Sequence, residues 1–176
     1  LGGRLTSLIF TMKIRTLPCI VALGFGLALG QAADPTQDRV AKGVAAELPS
    51  LVSLYKHFHA NPELSFMEAE TAKRLAAELR EAGLTVSTGV GGHGLVGVLK
   101  NGDGPTLLIR ADMDGLPVRE ETGLPHASTK QMADDLGNTV YTMHACGHDV
   151  HMTSFVGTAR LLGQLRDRWR GTLVMI

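Results

Sequence analysis

Between residues 65 and 111 the apolar residues change their period, and that change limits the folds open to the chain. Met67, Thr71, Leu75 and Leu79 recur at a spacing of four, which puts one stripe on a helix over residues 65–79. Gly83 follows at a C-cap position. Leu95–Lys100 and Pro105–Ala111 are β-rich instead, and Asn101-Gly102-Asp103-Gly104 between them is a hairpin signal. They are expected to pair, and the second, TLLIRA, is apolar on both faces, as in a buried sheet strand.

The flanking segments continue the alternation. A helix is predicted over 39–59 from Val44, Leu48, Leu51, Val52 and Tyr55, preceded by a linker at 34–38 and broken by Asn61-Pro62. Thr85–Ser87 is a short strand, residues 115–141 are irregular with a turn within 130–139, and Phe155, Ala159 and Leu162 mark a helix over 150–165. Trp169 is a packing anchor, and Thr172–Ile176 is a β-rich run that reaches the end of the sequence. Mixed helices and strands place the chain in the α/β class.

Composition narrows the function. The length of 176 residues fits one domain, or one domain with a stub, and 44% hydrophobic content fits a packed core. Seventeen basic residues balance 17 acidic ones, so there is no electrostatic footprint for nucleic acid. Residues 12–33 read as a secretory signal: Lys13 and Arg15, an apolar run from Leu17 to Leu29, then small residues around a cleavage site at Ala32/Ala33. The run is short for a bilayer span, so no stable membrane anchor is expected after its removal, and the protein is expected to be exported, periplasmic or secreted. Residues 1–11 are read as upstream extension. Removing residues 1–32 takes away Arg4, Lys13, Arg15 and no acid, turning the balance of 17 against 17 into a net charge of −3. It also removes Cys19 and leaves Cys146 as the one thiol in an oxidising compartment.

That thiol lies in Met143-His144-Ala145-Cys146-Gly147-His148-Asp149-Val150-His151. Thiolate and imidazole are both good zinc-type ligands, and with one intervening glycine Cys146 and His148 can both face one point if the loop is extended there. Asp149 is placed to orient an imidazole. The rival readings are a buried cysteine among solvated histidines, or a cysteine nucleophile with a histidine base, a geometry that immediate sequence neighbours rarely reach. A second stretch, Arg110-Ala111-Asp112-Met113-Asp114-Gly115, sets two carboxylates at the carboxyl end of a predicted strand, where α/β sheets place ligand chemistry. Asp112 is suited to bind a metal or to steady a ligand or base, and equally to cap a turn. In a third stretch, His57 and His59 fall on different helix faces and read as helix-terminal residues near the negative end of the dipole. His93 and His126 read as solvated loop residues.

His59-x-x-Pro62-Glu63-Leu64, Arg110-Ala111-Asp112-Met113-Asp114-Gly115-Leu116-Pro117, Glu121-Thr122-Gly123-Leu124-Pro125 and His144-Ala145-Cys146-Gly147-His148-Asp149 occur in this order. Together they resemble the metal-dependent amidohydrolases and metallopeptidases that include hippurate hydrolase, N-acyl-amino-acid hydrolases and auxin-conjugate hydrolases, relatives of aminoacylase and carboxypeptidase G. The resemblance runs from about Leu51 to Ile176. It implies a zinc-peptidase-like catalytic domain with a central mixed sheet flanked by helices, and a smaller inserted dimerisation domain that supports a homodimer. Residues 34–176 then correspond to the N-terminal part of the catalytic domain, incomplete at its C-terminus.

The resemblance implies Cys146 and His148 as metal ligands, with the thiolate bridging two divalent ions, zinc or manganese. It implies Asp112 as the acid supporting the centre, with Asp114 beside it and His144 and Asp149 as outer partners of the ligands. The implied reaction is hydrolysis of the amide bond of N-acyl amino acids or small peptides. The general-base Glu and further His ligands are expected beyond Ile176, so an isolated chain of this length is expected to be inactive. The alternative is a non-catalytic metal-binding remnant of the same fold.

Overall fold

The structure is a computed structural model that describes residues 35–176; the predicted signal segment lies outside the described residues. Helix α1 spans Pro35–Ala60 and α2 Ala69–Glu81; β1 (Thr85–Val90), β2 (Gly94–Asn101) and β3 (Thr106–Ile109) follow. Then come β4 (Gln131–Ala133), β5 (Thr139–Tyr141), α3 (His148–Gln164), a 3₁₀ turn at Arg166–Arg168 and β6 (Gly171–Met175). No helix among the described residues is long and apolar enough to cross a membrane.

Each helix has a local cause. Most of the expected linker is already helical, because proline at a first helical position loses no backbone bond. Helix α1 stops at Ala60, ahead of the Asn61-Pro62 break. Helix α2 begins four residues later than its apolar spacing predicts. Residues 65–68 form a turn instead, and the buried Glu63 carboxylate accepts the N–H groups of Glu70 (3.4 Å) and Thr71 (2.8 Å), satisfying the open end of the helix. The same helix ends as expected: Gly83 N–H donates to the Arg80 carbonyl and Leu84 N–H to that of Leu79.

The sheet corrects one expectation. Strands β2 and β3 do not pair with each other; the order is β1-β2-β6-β3, with β6 antiparallel to β2 and parallel to β3. Leu173 of β6 lies opposite Leu99 on one side and Leu107 on the other. Inserting β6 buries Leu173 and Met175 almost completely, and each such side chain contributes about 1.5–3 kcal/mol on leaving water. The Asn101–Gly104 turn therefore spans the width of a strand, and Thr172 N–H donates to the Pro105 carbonyl across it. Strand β3 is in turn an edge strand among the described residues. Leu107 and Leu108 are each 57% exposed, in contrast to the expected strand buried on both faces. The segment 115–141 is also more regular than expected, since β4 and β5 form a hairpin around the Asp134–Asn138 turn.

One core lies between the sheet and the helices. Helix α2 packs on β1, β2 and α3, and α1 packs on α3. Leu75, Leu79, Leu99, Met152, Phe155, Val156, Leu173 and Met175 fill the space between them. Trp169 packs against this core and donates its indole N–H to the Leu162 carbonyl. The N-terminal end of α3 and the carboxyl end of β3 emerge from this rigid base and carry the polar stretches singled out above.

Candidate metal centre

Backbone bridges hold the three polar stretches side by side. Leu64 pairs with Gly115, Leu116 pairs with Met143, and Gly115 N–H donates to the Glu63 carbonyl at 2.6 Å. Residues about 50 and 30 positions apart in sequence are thereby fixed together by main-chain bonds, which no side-chain substitution can loosen directly.

Asp114 and His148 meet within this frame. The His148 Nδ1–H lies 2.9 Å from the Asp114 carbonyl oxygen and 3.0 Å from its Oδ1, while the Ser65 hydroxyl donates to Oδ2 at 2.7 Å. Tying Nδ1 in this way leaves Nε2 as the lone-pair nitrogen and orients the ring, the arrangement that metal-binding histidines use. Cys146 is exposed, two residues before His148. Gly147 between them sits at φ +77°, a left-handed conformation that turns the chain into α3 and favours glycine. Asp112 takes a different partner: its half-exposed carboxylate pairs with the exposed guanidinium of Arg110. Asp112 and Asp114 share the wall of a cavity of about 340 Å³ with Met113, Leu95 and Phe155, and neither Cys146 nor His148 lines it.

Behind the Cys146–His148 loop lies a buried acid–base cluster. The Asp149 carboxylate accepts its neighbour's N–H from Val150 (2.9 Å) and receives His59 Nδ1–H at 2.7 Å. The other nitrogen of His59 donates to Glu120 Oε1 at 3.0 Å. Glu120 also accepts the Thr122 hydroxyl and, at 2.5 Å, the Ser128 N–H. Burial opposes charge on His59, but its two carboxylate partners outweigh burial and raise its pKa above the usual histidine value. Burial likewise opposes charge on Glu120, and the bonds from Thr122, Ser128 and His59 hold it below the usual carboxylate range. His59 is thus partnered by two acids, in addition to standing in the last turn of α1. His126, expected in solvent, packs its ring 5.1 Å from that of His59, with its Nε2 buried. Glu120 escaped the sequence reading because an acid beside turn residues carries no periodic signal.

His144 is 5% exposed, and neither ring nitrogen has a hydrogen-bond partner among the described residues. Burial lowers its pKa against the pull of Asp149, so the ring is neutral and offers a lone pair. A buried polar group without a protein partner calls for a water or an ion to satisfy it. The donor types here, thiolate and imidazole, suit zinc and its neighbours. Among the described residues no group of three or more His, Cys, Asp or Glu side chains is arranged to hold a metal ion. The residues fit a metal as part of a ligand set, short of the four donors a zinc ion takes.

Several known proteins are similar to this chain. The model of peptidase family M20/M25/M40 matches residues 108–176. N-acetylcysteine deacetylase of Bacillus subtilis is 39% identical over 132 residues, 72% of this chain and 31% of that protein. Hippurate hydrolase of Campylobacter jejuni is 42% identical over 123 residues, 65% of this chain and 30% of that protein. The solved structure of Bacillus subtilis YXEP, described as a dinuclear metal binding peptidase from the M20 family, superposes with a TM-score of 0.65 at 38% identity, covering 74% of this chain and 35% of that one. The chain spans about a third of the length of the curated relatives it matches. In sequence over residues 108–176, and in a mixed sheet flanked by helices, the chain is thus similar to the peptidase family M20/M25/M40.

Proposed function

We propose that this chain contributes Cys146 and His148 to a divalent-metal centre, and that the full-length protein hydrolyses the amide bond of N-acyl amino acids or small peptides. The observation that carries the reading is His148, two residues after Cys146, whose Nδ1 is held by Asp114 so that Nε2 is the lone-pair nitrogen. A divalent ion held by Cys146 and His148, zinc or manganese and one of a pair, would lower the pKa of bound water and polarise the scissile carbonyl. Asp114 fixes the tautomer of His148, while Gly147 sets the turn that presents sulfur and nitrogen on the same loop. Cys146 serves as thiolate, so metal affinity falls with pH. Asp112, opposite Arg110, lines the adjoining cavity and acts as the supporting acid.

The wider proposals follow from the same reading. Residues 12–33 direct export, Cys146 is protected from oxidation by its metal, and the substrate is a small acylated amino acid rather than nucleic acid. The full-length protein works as a homodimer. A metal-binding domain without catalysis is the second reading, favoured by the incomplete ligand set among the described residues.

The test is Cys146→Ser in the full-length protein, assayed on N-acetyl and N-benzoyl amino acids with metal content measured in parallel. Loss of both metal and amide cleavage is expected. Full metal content with full activity in the variant overturns the reading, and metal uptake by the parent without any cleavage selects the non-catalytic one.

A further inference from the structure

The buried cluster behind the candidate centre has no part in the reaction proposed above, yet each of its three side chains is hydrogen-bonded at more than one point. His59 reaches it from the end of α1, Asp149 from the first turn of α3 and Glu120 from the loop after β3. The side chains of His59, Glu120 and Asp149 are 8%, 0% and 3% exposed. A merely structural contact of this depth is more cheaply made of apolar groups, since desolvating charges offsets much of their attraction. Its position gives it another use, because Asp149 is the residue after His148. A helix whose first turn is anchored through Asp149 cannot rotate or slide without moving the neighbouring imidazole.

We propose that His59 is a positioning residue: bonded at both ring nitrogens, it ties the first turn of α3 to the Glu120 loop and so keeps Cys146 and His148 in register for one metal ion. The inference rests on the metal reading of Cys146 and His148. Glu120 is the outer anchor, since its own oxygens are engaged by Ser128 and Thr122. The ring of His126 packs against His59 and Tyr55 and closes the cluster from the loop side. The chain of contacts is Glu120 to His59 to Asp149 to the backbone of His148.

The experiment loads the full-length protein with cobalt(II), a coloured substitute for zinc, and reads the thiolate-to-cobalt band, the ligand-field bands and the affinity by chelator competition. His59→Gln keeps one hydrogen-bonding amide and cannot bridge both carboxylates. It is expected to weaken cobalt binding about 10–100-fold, the usual effect of losing an outer partner of a ligand, and to alter the ligand-field bands at saturating metal. A purely structural role would lower thermal stability and leave the spectrum of the saturated protein unchanged. His57→Gln, at an exposed position on the same helix, is the control for general damage to α1.

Glu120→Gln is the second variant, needed in case His59→Gln does not fold. It is expected to shift the same bands less strongly, and the double variant to bind no worse than His59→Gln alone, because both act through one path. Saturated spectra identical to the parent in both variants overturn the inference, as does strict additivity of their effects on affinity. If the parent shows no thiolate band, or Cys146→Ser leaves cobalt uptake intact, the metal reading fails and takes this inference with it. A Cys146-dependent band in the parent that neither variant changes sinks the positioning role alone.

Discussion

Helix α3 carries His148 and Asp149 at one end and, three turns on, Arg160, which braces it against both other helices. The Arg160 guanidinium donates to Glu47 Oε2 and Ser50 Oγ on α1, each at 2.9 Å, and to Glu78 Oε2 on α2 at 2.5 Å. Glu78 also receives Arg74 Nε at 2.8 Å. Arg160→Met keeps the aliphatic stem and removes the charge. Cutting one partner from a fully buried pair costs about 3–5 kcal/mol, but Glu78 retains Arg74. The side chain of Glu47 is 21% exposed, so its share falls toward the ~0–1 kcal/mol of a surface pair. The expected loss is therefore about 2–3 kcal/mol. For a domain of this size that lowers the melting temperature by roughly 6–12 °C.

The pH dependence provides a second reading of the same pair. Burial pushes the Glu78 carboxyl up, but the bonds from Arg74 and Arg160 outweigh it and hold its pKa below the ordinary value of 4.5. A carboxyl with a depressed native pKa stabilises the fold above its ordinary pKa and loses that contribution as pH falls through the native value. The gap between parent and variant is then largest near neutrality and closes below about pH 4.5. Urea denaturation at matched m values measures it. A cost under about 0.5 kcal/mol at neutral pH, within the range of an ordinary surface substitution, or a gap that widens in acid would refute the argument.

Three further outcomes follow from other contacts. Gly171 has φ +121°, and an added Cβ would lie 2.2 Å from the Pro105 carbonyl oxygen; Gly171→Ala is expected to cost about 3 kcal/mol or more, and a melting curve within a few degrees of the parent excludes that. Asp114→Asn keeps the carbonyl contact to His148 but loses the carboxylate, so zinc affinity by competition should drop by about tenfold; equal affinity contradicts the assigned orientation of the ring. His59 faces Glu120, Asp149, Tyr55 and the ring of His126. With its pKa raised above 6.5, it stabilises the fold fully below that value and less as pH climbs through the native one. In chelated protein the stability gap between parent and His59→Gln should narrow from pH 6 to pH 9, and a gap that grows with pH reverses the sign and rejects the charged pair.

Which segments become helix or strand was written in the local pattern. The spacing at Leu75 and Leu79, the break at Asn61-Pro62 and the run at 172–176 depend only on near neighbours in the chain. The choice of partners needed the folded molecule. Strand β6 slips between β2 and β3 because Leu173 and Met175 bury there, and no property of the Asn-Gly-Asp-Gly turn records a strand that arrives some 70 residues later. The contact of His148 with Asp114, while Asp112 turns to Arg110, depends on which face of the strand end meets α3. The pairing of His59 with Glu120 and Asp149 joins residues up to 90 positions apart. Periodicity encodes the environment each residue seeks, buried or wet, whereas the identity of its neighbour is settled when remote surfaces exclude water together.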